Sequence, residues 1–77
     1  MQNLREFRDK FGFKRKYVAN FLDISDDYLS QIERGIGAMN DERANKLANL
    51  YQTTSKHIKE VWRINHELRQ RNKIGIT

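Results

Sequence analysis

Three adjacent cations, Lys14, Arg15 and Lys16, are the side chains of this 77-residue chain whose types and spacing most directly indicate binding chemistry. They fall in the first turn of a predicted helix that no Ser, Thr, Asp or Asn caps. Cations at that end oppose the helix dipole and cost stability. A compensating role is expected, and we favour contact with phosphate groups over a solvated run of charge.

The other chemistry-bearing residues do not form a catalytic or metal-binding pattern. The chain has no Cys, which excludes disulfides and thiolate metal sites. His57 and His66 lie in one predicted helix without metal-ligand spacing to a partner. A chain of this length also has little room for a substrate pocket. We therefore expect no enzyme activity, no metal and no cofactor.

Charge is distributed unevenly along the sequence, within a net charge of +5. Residues 1–22 carry six basic and two acidic side chains. Residues 23–42 carry one basic and six acidic side chains, and residues 43–77 carry eight basic and two acidic ones. Two basic segments thus flank an acidic one. The positive balance fits a polyanionic partner, although many mildly basic helical proteins have none, so charge alone does not decide for nucleic acid.

Length and composition bound the architecture. We expect one small domain, which buries about 60 % of the surface that its unfolded chain exposes. No apolar run approaches the roughly 20 residues of a membrane span, so we expect a cytoplasmic protein without membrane contact. The absence of Pro and the presence of only four Gly favour helices joined by short turns.

The spacing of apolar residues predicts an all-α fold of five helices. We place them at about residues 2–11, 14–22, 26–34, 41–51 and 55–71. Ser25 and Asn40 are the expected N-caps of the third and fourth helices. Gly12 and Gly35 should end the first and third helices, and Asp23 should adopt a left-handed conformation in the turn after the second.

The second and third helices have the spacing of a helix-turn-helix. Val18, Ala19 and Leu22 form the apolar face of one, and Leu29 and Ile32 form that of the other. The small Ala19 side chain lets the two helices approach closely. Such a motif presents its second helix to the major groove of DNA.

A wider set of residues stands at the spacing of a known family: Phe7, Arg8, Gly12, Phe13, Val18, Ala19, Leu22, Ile24, Ser25, Leu29, Ile32, Glu33, Gly35, Leu47, Ala48 and Tyr51. With these residues, positions 4–55 resemble the lambda-repressor-like helix-turn-helix domain of the Cro/repressor type (XRE family). The resemblance implies a compact five-helix domain and a transcriptional regulator, of the phage- or mobile-element repressor type. Its partners would be double-stranded operator DNA and a second copy of the chain in a homodimer.

The resemblance also implies roles for single residues. Arg8 of the first helix should form a structural ion pair with Glu33 of the third. The base-reading positions are Gln31, Asp26, Asp27 and Tyr28. The phosphate-contacting positions are Lys14, Arg15, Lys16, Ser30, Arg34 and Asn40. Gln31 is the best base reader, because a Gln side chain can pair bidentately with adenine.

Two features depart from the family pattern. The family opens the first motif helix with Ser or Thr followed by Gln, where this chain has Lys14 and Arg15, and phosphate contact survives that exchange. Asp26 and Asp27 place carboxylates at the tip of the helix that should meet a polyanion. They can accept from cytosine N4 or complement the helix dipole. The alternative function is a helix-turn-helix-derived module that binds another protein, antirepressor- or antitoxin-like, with weak DNA binding.

The last helix extends beyond the resemblance. We divide the single domain, residues 1–77, into a core at about 2–64 and a C-terminal extension at about 65–77. Apolar residues at Ile58, Val61, Trp62 and Leu68 form a stripe on this helix. We expect the part after Ile64 to form a dimer seam or to contact the DNA backbone rather than to fold back on the domain.

Overall fold

The computed structural model describes residues 3–75, with side chains described for residues 3–70. It contains five helices: α1 (Leu4–Lys10), α2 (Arg15–Leu22), α3 (Asp26–Glu33), α4 (Asp41–Leu50) and α5 (Ser55–Gly75). Residues 3–75 contain no strand, and the all-α fold class is confirmed. The helix bounds agree with the predicted ones to within two residues, except that α5 continues past the predicted end near 71.

Side-chain caps determine where four of the helices begin. Asn3, Ser25 and Asn40 each accept a hydrogen bond from the backbone N–H three residues later. Thr54 caps α5 in the same way, at 3.1 Å. Such caps satisfy N–H groups that have no partner inside the helix. At α2 the N-cap residue is Lys14, and its side chain makes no such bond.

Left-handed residues end the first three helices, as predicted. Gly12 follows α1 with φ 73°, Asp23 caps the end of α2 with φ 60°, and Gly35 follows α3 with φ 78°. Gln52, with φ 55°, takes this conformation after α4 and was not predicted to do so. The conformation at Asp23 turns the chain directly into α3, because the Ile24 N–H bonds back to an α2 carbonyl, that of Ala19, at 3.0 Å.

The apolar faces of the five helices meet in one core. Its buried side chains are Leu4, Phe7, Val18, Ala19, Leu22, Leu29, Ile32, Ala44, Leu47, Ala48, Tyr51, Ile58 and Val61. The Phe7 and Tyr51 rings stack with their centroids 5.6 Å apart, which joins α1 to the end of α4. Burial raises the pKa of the Tyr51 hydroxyl well above its ordinary value, so this phenol stays neutral inside the core.

Three α5 side chains hold the loop that follows α3. Trp62 Nε1 donates to the Gly37 carbonyl at 2.9 Å, and His66 Nδ1 lies 2.8 Å from the Gly35 carbonyl oxygen. Arg69 Nε donates to the Arg34 carbonyl at 3.0 Å. We call these three contacts the α5 clamp.

The clamp corrects one expectation about the extension. The prediction that the chain after Ile64 does not fold back is wrong for His66 and Arg69, which bind the end of α3. The physical reason is that carbonyls at the C-terminal end of a helix lack hydrogen-bond partners within that helix, and α5 places side-chain donors next to them. Residues 76–77 of the predicted extension lie outside the described residues. Within the described part of the chain, no helix combines the length and the apolar character that crossing a membrane requires.

Candidate nucleic-acid interface

Helix α3 has one buried side and one side that faces solvent. Leu29, Ile32 and Glu33 are buried against the rest of the domain. With 3.6 residues per turn, the opposite side carries Asp27, Ser30, Gln31 and Arg34. We call these four residues the solvent face of α3. Two of the predicted base readers, Asp27 and Gln31, therefore share one surface.

The Arg8–Glu33 ion pair that the resemblance implies is present and fixes α3 against α1. Arg8 Nε lies 2.7 Å from Glu33 Oε2, and Arg8 Nη2 lies 3.3 Å from Oε1. The two side chains are only 12 % and 6 % exposed. The hydrogen bonds to Glu33 raise the pKa of the Arg8 guanidinium, against the opposing effect of burial. This bidentate pair sets the orientation of α3 and does not itself lie on the solvent face.

Tyr28 braces α3 against the following loop and α4. Its hydroxyl oxygen accepts from the Ala38 N–H at 3.2 Å, and the Arg43 guanidinium lies 5.0 Å from the centre of its ring. The hydrogen bond from Ala38 is the main reason why the pKa of the Tyr28 hydroxyl is lowered. Tyr28 was predicted as a further base contact, and that stays a prediction, since its hydroxyl oxygen accepts from the loop while its O–H can still donate.

The three predicted phosphate-binding cations lie at the exposed start of α2. Lys14, Arg15 and Lys16 are all exposed. No side chain in the described part of the chain caps this helix, so the N–H groups of its first turn are available to an anion. A phosphate bound there would satisfy these donors and offset the repulsion between the cations and the helix dipole. Asn40, a further predicted phosphate contact, is exposed at the start of α4 and uses its side-chain oxygen as the cap.

A groove of about 1070 Å³ runs beside α3. We call it the arginine groove, because its wall contains Arg5 of α1, Arg15 of α2, Arg34 at the end of α3 and Arg69 of α5. Ser30 and the half-buried Asp26 also line it. The structure thus separates the two aspartates: Asp26 lies in the groove among arginines, and Asp27 lies on the solvent face of α3.

Sequence reasoning missed Arg5 and Arg69 as parts of this surface. Arg69 stands 35 positions from Arg34, whose carbonyl it binds. No local pattern connects residues at that separation. The described residues contain no cluster of three His, Cys, Asp or Glu side chains that could hold a metal ion.

Comparison with known proteins agrees with this arrangement. A family model described as helix-turn-helix matches residues 4–58, which cover α1 to the first turn of α5. Searches for similar curated proteins and for similar solved structures returned no match. The matched residues include α2, α3 and both partners of the Arg8–Glu33 pair. The chain belongs to the helix-turn-helix family of Cro/repressor, XRE-like type, a family of DNA-binding regulators.

Proposed function

We propose that this protein is a transcriptional repressor of the phage- or mobile-element type, which binds operator DNA sequence-specifically with α3 in the major groove. One observation carries the proposal. Arg15 at the start of α2 lines the same groove as Ser30 of α3 and Arg34 at its end, and these last two residues share the solvent face of α3 with Gln31, so the phosphate-binding surface adjoins the base-reading one. That adjacency is what docking of a helix-turn-helix on one groove of DNA requires.

The residues divide into two roles. Gln31, on the solvent face, reads a base edge, and adenine is the base that a Gln amide pairs with bidentately. Lys14, Arg15 and Lys16 bind phosphates and position the protein without reading sequence. Asp27 is exposed at the tip of α3, where a carboxylate accepts from cytosine N4 and is repelled by a phosphate. A carboxylate at this position therefore favours cytosine at the base pair it contacts and weakens non-specific binding to the DNA backbone.

The operator we propose is two-fold, bound by a homodimer. A helix-turn-helix dimer places its two recognition helices about one turn of DNA apart. Ile36 and Ile64 support this assembly, because they are 47 % and 37 % exposed. Each adjoins, in sequence, the place where Gly35 meets α5. Apolar side chains exposed beside a rigid contact suit a seam between two copies.

A second candidate function is a protein-binding module with weak DNA affinity. Its support is a pair of aromatic residues one turn apart on α2, Tyr17 and Phe21, which are 52 % and 41 % exposed. The Phe13 ring stacks on Tyr17 with the centroids 5.3 Å apart, which extends this aromatic surface. Exposed aromatic clusters mark many protein-binding surfaces. In this function the carboxylate of Asp27 would repel DNA.

Replacement of Gln31 separates base reading from general attraction. On duplexes selected from a randomised library, we expect Gln31→Ala to lose discrimination at one base pair, by about 1–3 kcal/mol, with preferences elsewhere kept. Arg15→Ala should weaken binding to all sequences alike, because it contacts phosphate. Fluorescence anisotropy with the selected duplex and its single-base variants measures both effects. A Gln31→Ala variant with the wild-type preference at every position would contradict the proposed role of α3.

A further inference from the structure

The arginine groove contains more positive charge than the helix-turn-helix alone supplies. Arg15 and Arg34 belong to the motif, whereas Arg5 comes from α1 and Arg69 from α5. The acidic side chains in the wall are Asp26 and Glu33. The charge of Glu33 is balanced by its ion pair with Arg8, which also lines the groove. Arg5 lies 3.8 Å from the Asp9 carboxylate, so Arg15, Arg34 and Arg69 are the arginines that face the one uncompensated carboxylate, Asp26.

Two of these arginines are held in place in a way that leaves their terminal nitrogens available. Arg34 Nε donates to the Ser30 carbonyl at 3.4 Å, and Arg69 Nε donates to the Arg34 carbonyl at 3.0 Å. Each bond uses Nε and leaves the Nη hydrogens for another acceptor. Within residues 3–70, no ion pair of the structure involves Arg15, Arg34 or Arg69. Anchored guanidinium groups without a carboxylate partner are suited to bind phosphate.

We propose that the arginine groove binds the phosphate backbone of one DNA strand alongside α3, and that Arg69 of α5 is the added contact that extends it beyond the helix-turn-helix. This inference depends on the proposed function. The groove takes DNA rather than a separate anionic ligand because Ser30 and Arg34 belong both to its wall and to the solvent face of α3. A strand that borders the major groove occupied by α3 therefore passes along it. The α5 clamp holds Arg69 at the end of α3 for this contact.

The test is the salt dependence of binding to the selected duplex. Each neutralised phosphate contributes about −0.9 to the slope of log K against log salt on B-DNA. We expect Arg69→Ala to reduce the magnitude of the slope by about 0.9 and to weaken binding to all duplexes by a similar factor. Arg63→Ala is the matched control. It removes the same charge from α5, but Arg63 pairs with Glu67 at 2.9 Å and does not line the groove, so the slope should stay as in the wild type.

Arg69→Lys distinguishes charge from architecture. Lysine keeps the cation that neutralises the phosphate, so the slope should remain near the wild-type value even though the Nε bond to the Arg34 carbonyl is lost. Thermal unfolding followed by circular dichroism shows that each variant is folded at the temperature of the titration. If the slope for Arg69→Lys were as small in magnitude as that for Arg69→Ala, the reduced slope would come from the broken clamp and not from the missing charge. That result would overturn the proposal.

A neutral methylphosphonate placed at each backbone position in turn locates the contact. At one phosphate beside the half-site, the substitution should weaken the wild type and leave Arg69→Ala unaffected. A wild type that binds DNA, with Arg69→Ala showing the same slope, would overturn this inference and leave the proposed function intact. A wild type that retains no duplex at low salt would overturn both, and the groove would then belong to a protein partner with acidic side chains.

Discussion

Gly35→Ala is expected to cost about 2–5 kcal/mol of unfolding free energy, the sum of overpacking and backbone strain. A Cβ at this position would lie 2.7 Å from the His66 backbone nitrogen and 2.9 Å from the Asn65 carbonyl carbon. Both are backbone atoms of α5, so no flexible side chain can move aside. Alanine would also be strained by the φ of 78°. α5 would have to move away, which would break the clamp at His66.

Gly12→Ala is the matched control for this prediction. Gly12 has nearly the same backbone conformation, with φ 73°, but a Cβ there would meet no described atom within 4 Å. Its replacement should cost about 1 kcal/mol, from backbone strain alone. Urea unfolding of both variants, followed by circular dichroism, measures the difference. Equal losses for the two glycines would show that α5 does not pack against Gly35 as described.

Glu33→Ala is expected to lower the unfolding free energy by about 3 kcal/mol. Removal of one partner from a buried pair leaves the other charge without compensation, which typically costs about 3–5 kcal/mol. The lower end applies because Arg8 keeps 12 % exposure and a hydrogen bond to the Phe13 carbonyl. Since the pair ties α1 to α3, operator affinity should fall along with stability.

Asp9→Ala controls for the general loss of a carboxylate near Arg8. The Asp9 carboxylate lies 4.0 Å from Arg8 Nη1 but is 61 % exposed. Water screens such a contact, so its removal should cost less than about 1 kcal/mol. Thermal melting of the two variants, recorded at the same pH and salt, makes the comparison. If Glu33→Ala melted at the wild-type temperature, the pair would not be what holds α1 to α3.

The parts of the fold that depend on neighbouring residues could be predicted from the sequence. Ser25 and Asn40 cap helices because their oxygens reach an N–H only three residues away. Asp23 adopts its left-handed conformation for an equally local reason. The Arg8–Glu33 pair spans 25 positions and was available only through the family resemblance.

The rest depends on how distant segments meet, which no local pattern encodes. The donors on α5 match carbonyls of the loop after α3 only because core packing sets the register between them. The hydrogen-bond partner of the Tyr28 hydroxyl could not be predicted either, since it depends on the path of the loop to Ala38. For the same reason the arginine groove, which brings Arg5 and Arg69 beside α3, could not be inferred from charge along the sequence.

The central claim is that α3 and its basic surroundings recognise a DNA sequence, and one measurement tests it most directly. The wild-type chain is presented with a randomised duplex library at about 50 mM and about 200 mM salt, the range over which phosphate contacts lose most affinity. We predict enrichment of one sequence with two-fold symmetry, and binding to it that falls steeply between the two concentrations. Retention of no duplex at the lower concentration, or equal retention of all sequences, would contradict the claim.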